Sequence, residues 1–139
     1  MKKIITVFVL SVLAFSAFAQ VDEFTAAKRA RRQNLTVKEW NTDSKTKTRW
    51  LDHVTTYDAE GRKVEEIEYA QYGQKWRETY EYGENDKIIR EIQYDDRDKP
   101  VAIRKYEYNS EGRKIRQYNY GPNGKLLTTK VFEYISTAE

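Results

Sequence analysis

The chain of 139 residues has no cysteine, two prolines and one histidine. Without cysteine there is no disulfide framework and no thiolate to bind metal or act as a nucleophile. With His53 as its one imidazole, the chain cannot assemble a multi-histidine zinc site. Excess charge is also lacking: 25 basic side chains stand against 22 acidic ones. The concentrated positive surface that nucleic-acid phosphates require is therefore missing, and no nucleic-acid partner is expected. Long apolar runs are confined to Ile4–Phe15, which is too short to span a bilayer.

That run follows Met1-Lys2-Lys3 and leads into Ala17-Phe18-Ala19. Charged start, apolar middle and A-x-A end are the order of a secretory signal peptide. Cleavage before Gln20 is expected, with an exported protein, periplasmic or secreted, that carries no integral membrane segment. The absence of a following cysteine argues against a lipid anchor. Removal of residues 1–19 leaves 120 residues, one small domain, with 23 basic and 22 acidic side chains.

Tyrosine is abundant by contrast, with 11 in the chain. Six pairs of an apolar or aromatic residue and a tyrosine two positions later recur: Ile67/Tyr69, Tyr80/Tyr82, Ile92/Tyr94, Tyr106/Tyr108, Tyr118/Tyr120 and Phe132/Tyr134. The spacing of two places both members on one face of a strand, and the 12- to 14-residue interval between pairs is one strand plus one turn. Four residues after each strand-ending tyrosine stands a residue tolerant of left-handed backbone: Gly61, Gly73, Asp86, Asp98, Gly112 and Gly124. Lysine then restarts the strand in most units. This predicts four- to five-residue hairpin loops closed by a left-handed residue that forms a bulge. The first hairpin is a degenerate copy, with Trp40 in the tyrosine slot and Ser44 in the left-handed one.

The fold class predicted is all-β: a single antiparallel meander of about eight strands, 34–41, 47–57, 63–69, 75–82, 87–94, 101–108, 114–120 and 126–135, with room to curl. Residues 20–33 form a short helix or arm ahead of the repeat domain, 34–139. Acidic Asp22 and Glu23 precede basic Lys28, Arg29, Arg31 and Arg32 there, an order that suits a helix dipole, but the apolar stripe of Phe24, Ala27 and Ala30 is thin. Pro100 is placed at a strand start, where its missing N–H is tolerated.

Carried through the tyrosine pairs, strand parity predicts one aromatic face and one largely wet face. The aromatic face includes Trp76, Tyr80, Tyr82, Tyr94, Tyr106, Tyr108, Tyr118 and Tyr120, the candidate interaction surface. No long helix is available to cover it. Curling, the N-terminal segment, a second copy or a ligand must do so, and these tyrosines equally serve as the sheet's own core.

Tyr57-Asp58-Ala59-Glu60-Gly61-Arg62 and Tyr108-Asn109-Ser110-Glu111-Gly112-Arg113 resemble the Tyr-Asp-x-x-Gly-Arg core of YD (RHS-type) repeats. Tyr120-Gly121-Pro122-Asn123-Gly124-Lys125 is a looser copy. The resemblance covers residues 35 to 135 and implies tandem β-hairpins. Large YD-repeat proteins wind such hairpins into a shell around a toxin domain, which a chain of this length cannot do. In size and leader the chain is similar to small exported YD-like families of Gram-negative bacteria, whose role is uncharacterised. MORN-type repeats match less well.

Nothing in the sequence assembles a catalytic or cofactor constellation, so no enzyme activity, metal or cofactor is expected. The acidic turn Asp95-Asp96-Arg97-Asp98 lacks the alternating ligands of a calcium loop and reads as turn chemistry. The function expected is that of a protein-interaction or structural module, working through its aromatic face or an edge strand on a protein partner or its own copy. The alternative is a glycan-binding module that stacks sugars on the aromatic face.

Overall fold

A computed structural model of the chain describes residues 25–137. The expected signal peptide lies outside the described residues. Residues 25–30 are helical (α1). Eight strands follow: β1 (Thr36–Thr42), β2 (Arg49–Tyr57), β3 (Lys63–Ala70), β4 (Gly73–Tyr82), β5 (Ile88–Tyr94), β6 (Pro100–Tyr108), β7 (Lys114–Tyr120) and β8 (Leu126–Val131). They form one open antiparallel sheet in the order β1-β2-β3-β4-β5-β6-β7-β8. The predicted meander of eight strands is therefore the observed one, and β6 begins on Pro100 as expected.

The turns obey the predicted chemistry. Gly61, Gly73, Asp86, Asp98, Gly112 and Gly124 all have positive φ, between 57° and 134°. In the Asp58 turn the backbone N–H of Gly61 donates to the Asp58 carbonyl, and Asp58 Oδ1 accepts the N–H groups of Glu60 and Arg62. Asn109 repeats this with Gly112, Glu111 and Arg113, as does Asp95 with Asp98, Arg97 and Lys99. An Asx side chain thus replaces the missing backbone acceptor inside each loop.

Two turns depart from expectation. Ala70 pairs with Gly73, so Gln71 and Tyr72 alone connect β3 to β4. In the first hairpin Lys47, at φ 60°, takes the left-handed place given to Ser44. Asp43 Oδ1 accepts the N–H groups of Lys45 and Thr46, which defers the reversal to Lys47.

A bulge lies at the tyrosine that ends each of β2 to β7. Each time the partner strand carries one unpaired residue: Val64, Lys75, Ile89, Val101, Ile115 or Leu127. This is the two-against-one arrangement that twists a ladder and ends regular pairing.

Burial is slight, as one layer dictates. Among the described residues Val54 is the one buried hydrophobic side chain. The N-terminal segment docks at the sheet end that carries the Asp58 turn: Asn34 N–H donates to the Asp58 carbonyl, and the Arg32 guanidinium lies 5.1 Å from the Tyr57 ring centroid.

Gly112→Val forces a β-branched residue into left-handed backbone and is expected to cost about 2 kcal/mol of stability. Ser110→Val, in the same turn but not at positive φ, should cost far less. Urea unfolding of both variants checks the turn, and equal losses would contradict it.

Candidate interaction surfaces

In an antiparallel ladder, residues directly opposite each other share a face. Tyr80 pairs with Glu91, and Glu91 with Arg104, so Tyr80, Tyr82, Tyr106 and Tyr108 share one face with Trp76. Ile92 pairs with Thr79 and Ile103, and Ile103 with Tyr120. This puts Tyr94, Tyr118 and Tyr120 on the opposite face.

The single aromatic face read from parity is therefore corrected. Of its eight residues, Trp76, Tyr80, Tyr82, Tyr106 and Tyr108 are brought together on what we term the front, and Tyr94, Tyr118 and Tyr120 on the back. The bulge is the reason. From β5 on, skipping one residue at each strand start reverses which parity faces front, so successive tyrosine pairs alternate between faces. The repeat that returns to the same face is the two-strand unit: Tyr82, Tyr108 and Tyr134 are 26 residues apart.

On the front each of these three tyrosines performs the same task. Tyr82 Oη donates to the Lys63 carbonyl at 2.7 Å, Tyr108 Oη to that of Ile88 at 2.6 Å and Tyr134 Oη to that of Lys114 at 2.7 Å. Every acceptor is the first residue of the preceding strand, beside its bulge. The hydroxyl satisfies a carbonyl where the ladder is irregular, which locks each hairpin onto the one before it.

Sequence reasoning missed the cations that cover the rings. Arg62 lies 4.8 Å from the Tyr82 centroid and Arg113 5.3 Å from that of Tyr134. Lys63 and Lys114 cover Tyr80 and Tyr106 at 5.0 and 3.8 Å. On the back, Arg77 covers Tyr94 at 3.9 Å and Lys105 covers Tyr120 at 5.4 Å. The signal for Arg62 and Arg113 was their place directly after the left-handed Gly61 and Gly112, read above as part of the turn motif; Arg77 and Lys105 lie mid-strand with no such mark. A cation over a ring face contributes about 0.5–1 kcal/mol where water reaches it.

Between the ring rows the front carries a polar chain across five strands. Tyr80 Oη donates to Glu66 Oε2 at 2.6 Å and Tyr106 Oη to Glu91 Oε2 at 2.8 Å. Arg104 stands between Glu78 and Glu91 at 3.6 and 3.5 Å. His53 lies 3.5 Å from Glu66 and meets the Trp76 ring edge-on. The front is the drier face: the Glu66, Glu78 and Glu91 side chains are 18–20% exposed, against 45–53% for Glu81 and Glu107 on the back.

Burial, with the Glu91 charge second, raises the Glu78 carboxyl above its ordinary value. Burial also pushes Glu66 up, but hydrogen bonds from Lys63 and Tyr80 outweigh it and hold Glu66 low. Burial and the Glu66 hydrogen bond raise the Tyr80 phenol. Lys63, Tyr80 and Arg104 thus supply the donors these carboxylates need. No group of three or more metal-ligating side chains is present among the described residues. Asp95 Oδ1 is taken by its own turn and Asp98 Oδ1 by Gln74 and Arg77.

The two edges differ. β1 is exposed throughout and carries Lys38 and Glu39. β8 is also exposed throughout, but its sequence is Leu-Leu-Thr-Thr-Lys-Val, with Leu126 51%, Leu127 67% and Val131 66% exposed.

No family model matches the chain, and no curated protein matches it in sequence. Among solved structures, that of the GtfA/B complex bound to UDP and GlcNAc is 14% identical, with 68% of this chain and 19% of that one covered and a TM-score of 0.31. The crystal structure of TarM is 15% identical, with coverages of 81% and 26% and a TM-score of 0.31. The chain spans about a fifth to a quarter of those proteins, and a likeness this slight carries no argument.

Tyr108→Phe removes one lock and strands the Ile88 carbonyl, with an expected loss of about 1 kcal/mol in denaturant unfolding. Glu78→Gln has the opposite sign. A carboxyl whose folded pKa is raised weakens the fold once pH exceeds the unfolded value, so Gln should raise Tm at pH 7 and give no gain below the unfolded carboxyl pKa of about 4.3. Thermal melts at the two pH values decide it.

Proposed function

We propose that the chain is an exported, non-enzymatic interaction module that joins a second copy of itself through strand β8. The observation that carries this reading is the β8 edge, which has the apolar residues of an inner strand and, among the described residues, no neighbour to cover them. A six-residue edge with one charge, no proline and no bulge of its own on the open side is the kind that pairs with another chain.

The hydrogen bonding of β8 is compatible with a second copy as partner. Phe132 N–H donates inward to the Ile115 carbonyl. Alternation along the strand then turns the backbone groups of Thr129 and Val131 outward. An antiparallel copy related by a two-fold axis at Thr129 sets Leu127 opposite Val131 twice and Thr128 opposite Lys130 twice, so no like charges meet. The surface is self-complementary, as an isologous interface requires. β1 carries two charges, Lys38 and Glu39, against the single Lys130 of β8.

The alternative, sugar stacking on an aromatic face, has less support: the rings are divided between faces, and Arg62, Arg77 and Lys114 already lie over three of them.

Sedimentation or light scattering at micromolar concentration should show a dimer. Thr129→Pro removes an outward donor without breaking a bond to β7 and should give a folded monomer by circular dichroism. A monomeric wild-type chain would overturn the reading. A glycan-dependent change in tryptophan fluorescence would favour the alternative.

A further inference from the structure

The helix and the turn after it set basic side chains beside the Asp58 turn. Thr25, Lys28, Arg29 and Arg32, spaced i, i+3, i+4 and i+7, line a cleft of about 470 Å³ whose far wall includes Tyr57, Arg62, Lys63 and Tyr82. Five cations converge on this space, and no carboxylate among the described residues lines it. The acids that neutralise three of them stand outside: Asp86 holds Arg29 at 2.6 Å and Arg62 at 3.1 Å, and Glu66 holds Lys63 at 2.8 Å. Lys28 and Arg32 have no carboxylate within ion-pair distance among the described residues; Arg32 lies over the Tyr57 ring.

The close approach is built in. A Cβ at Gly61 would fall 2.2 Å from the Arg29 carbonyl oxygen, so glycine is what lets the helix seat this near the turn. Like charges drawn together in a partly closed cleft repel, and they repel more strongly as water is excluded. An anion bound among them reverses the sign of that interaction.

We propose that the cleft between α1 and the Asp58 turn is a binding site for a phosphate monoester. Lys28 and Arg32, two cations without a carboxylate partner among the described residues, match the charge of nearly −2 that such a group carries at neutral pH. Arginine offers a planar fork to phosphate oxygens, and lysine a point charge. The volume exceeds what a lone phosphate fills and lies within the range of about 300–1,000 Å³ for small-molecule sites. Tyr57 and Tyr82 are the apolar surface against which the organic part would lie.

Calorimetry of the purified chain at low salt tests this with glucose 6-phosphate, inorganic phosphate, glucose and phosphatidylglycerol vesicles. The sugar phosphate should bind one to one, inorganic phosphate more weakly and glucose not at all. Lys28→Ala with Arg32→Ala should weaken binding by about tenfold or more, since each removes a charge-assisted contact. Lys105→Ala, whose cation covers Tyr120, should change nothing. Gly61→Ala should abolish binding while the strand signal in circular dichroism persists. Thr129→Pro should bind normally, which separates this site from the β8 edge. No heat with either phosphate probe would overturn the proposal, as would binding that the double variant leaves intact or that appears with vesicles alone. Binding that requires Asp22→Asn with Glu23→Gln would also overturn it, by showing that the chain's own carboxylates fill the cleft.

Discussion

A one-residue shift at the end of each inner strand governs most of what is distinctive in this sheet. The left-handed residue closes the turn, and one residue of the following strand goes unpaired. Because side chains alternate with a period of two, that single unpaired residue sends the next tyrosine pair to the other face. The shift also leaves a carbonyl in an irregular stretch of ladder, and on the front the tyrosine two strands' length later in the chain donates to it. Turn chemistry, facial alternation and hydroxyl locking are three consequences of one backbone feature.

A single layer cannot bury much, and Val54 is the one hydrophobic side chain buried among the described residues. Stability has to come from the hydrogen-bonded ladder and from covering each ring locally. The charged residues do the covering. Arg62, Arg77, Lys63 and Lys114 lay aliphatic stems and cationic heads over tyrosine rings, while carboxylates such as Glu66 and Glu91 accept the tyrosine hydroxyls. The near balance of 25 basic and 22 acidic side chains follows from this use of charge as cladding. It also explains why rings that suggest a binding platform in sequence are largely engaged within the sheet.

The strands and their order were legible in the chain because period-two patterning and turn residues agree at nearly every hairpin. Gly61, Gly112 and Gly124 could be assigned to left-handed backbone from their distance to a tyrosine alone. Lys47 could not, since an Asp43 side chain that captures two N–H groups delays the turn in a way spacing does not express. The faces were misread for a related reason: a bulge adds one residue to one strand of a pair, and counting along a single strand cannot detect a shift between two. Helix docking was illegible too, because the contact that fixes it is between the Gly61 backbone and the Arg29 carbonyl, with no side-chain pattern to announce it.

The ends of the repeat array obey different rules, and there the sheet's chemistry changes from internal to external. Toward β1 the array is finished by structure: α1 sits over the Asp58 turn and the edge strand carries Lys38 and Glu39. Toward β8 the edge strand is apolar and exposed. Tyr134 still locks onto the Lys114 carbonyl with Arg113 over its ring, as at the inner repeats, so β8 is held like an inner strand up to its last residues. Among the described residues the outward amides of β8 and its exposed leucines and valine stay uncovered. Uncovered apolar surface is therefore concentrated on β8, while the tyrosine rows that make the repeat visible are clad by their own cations.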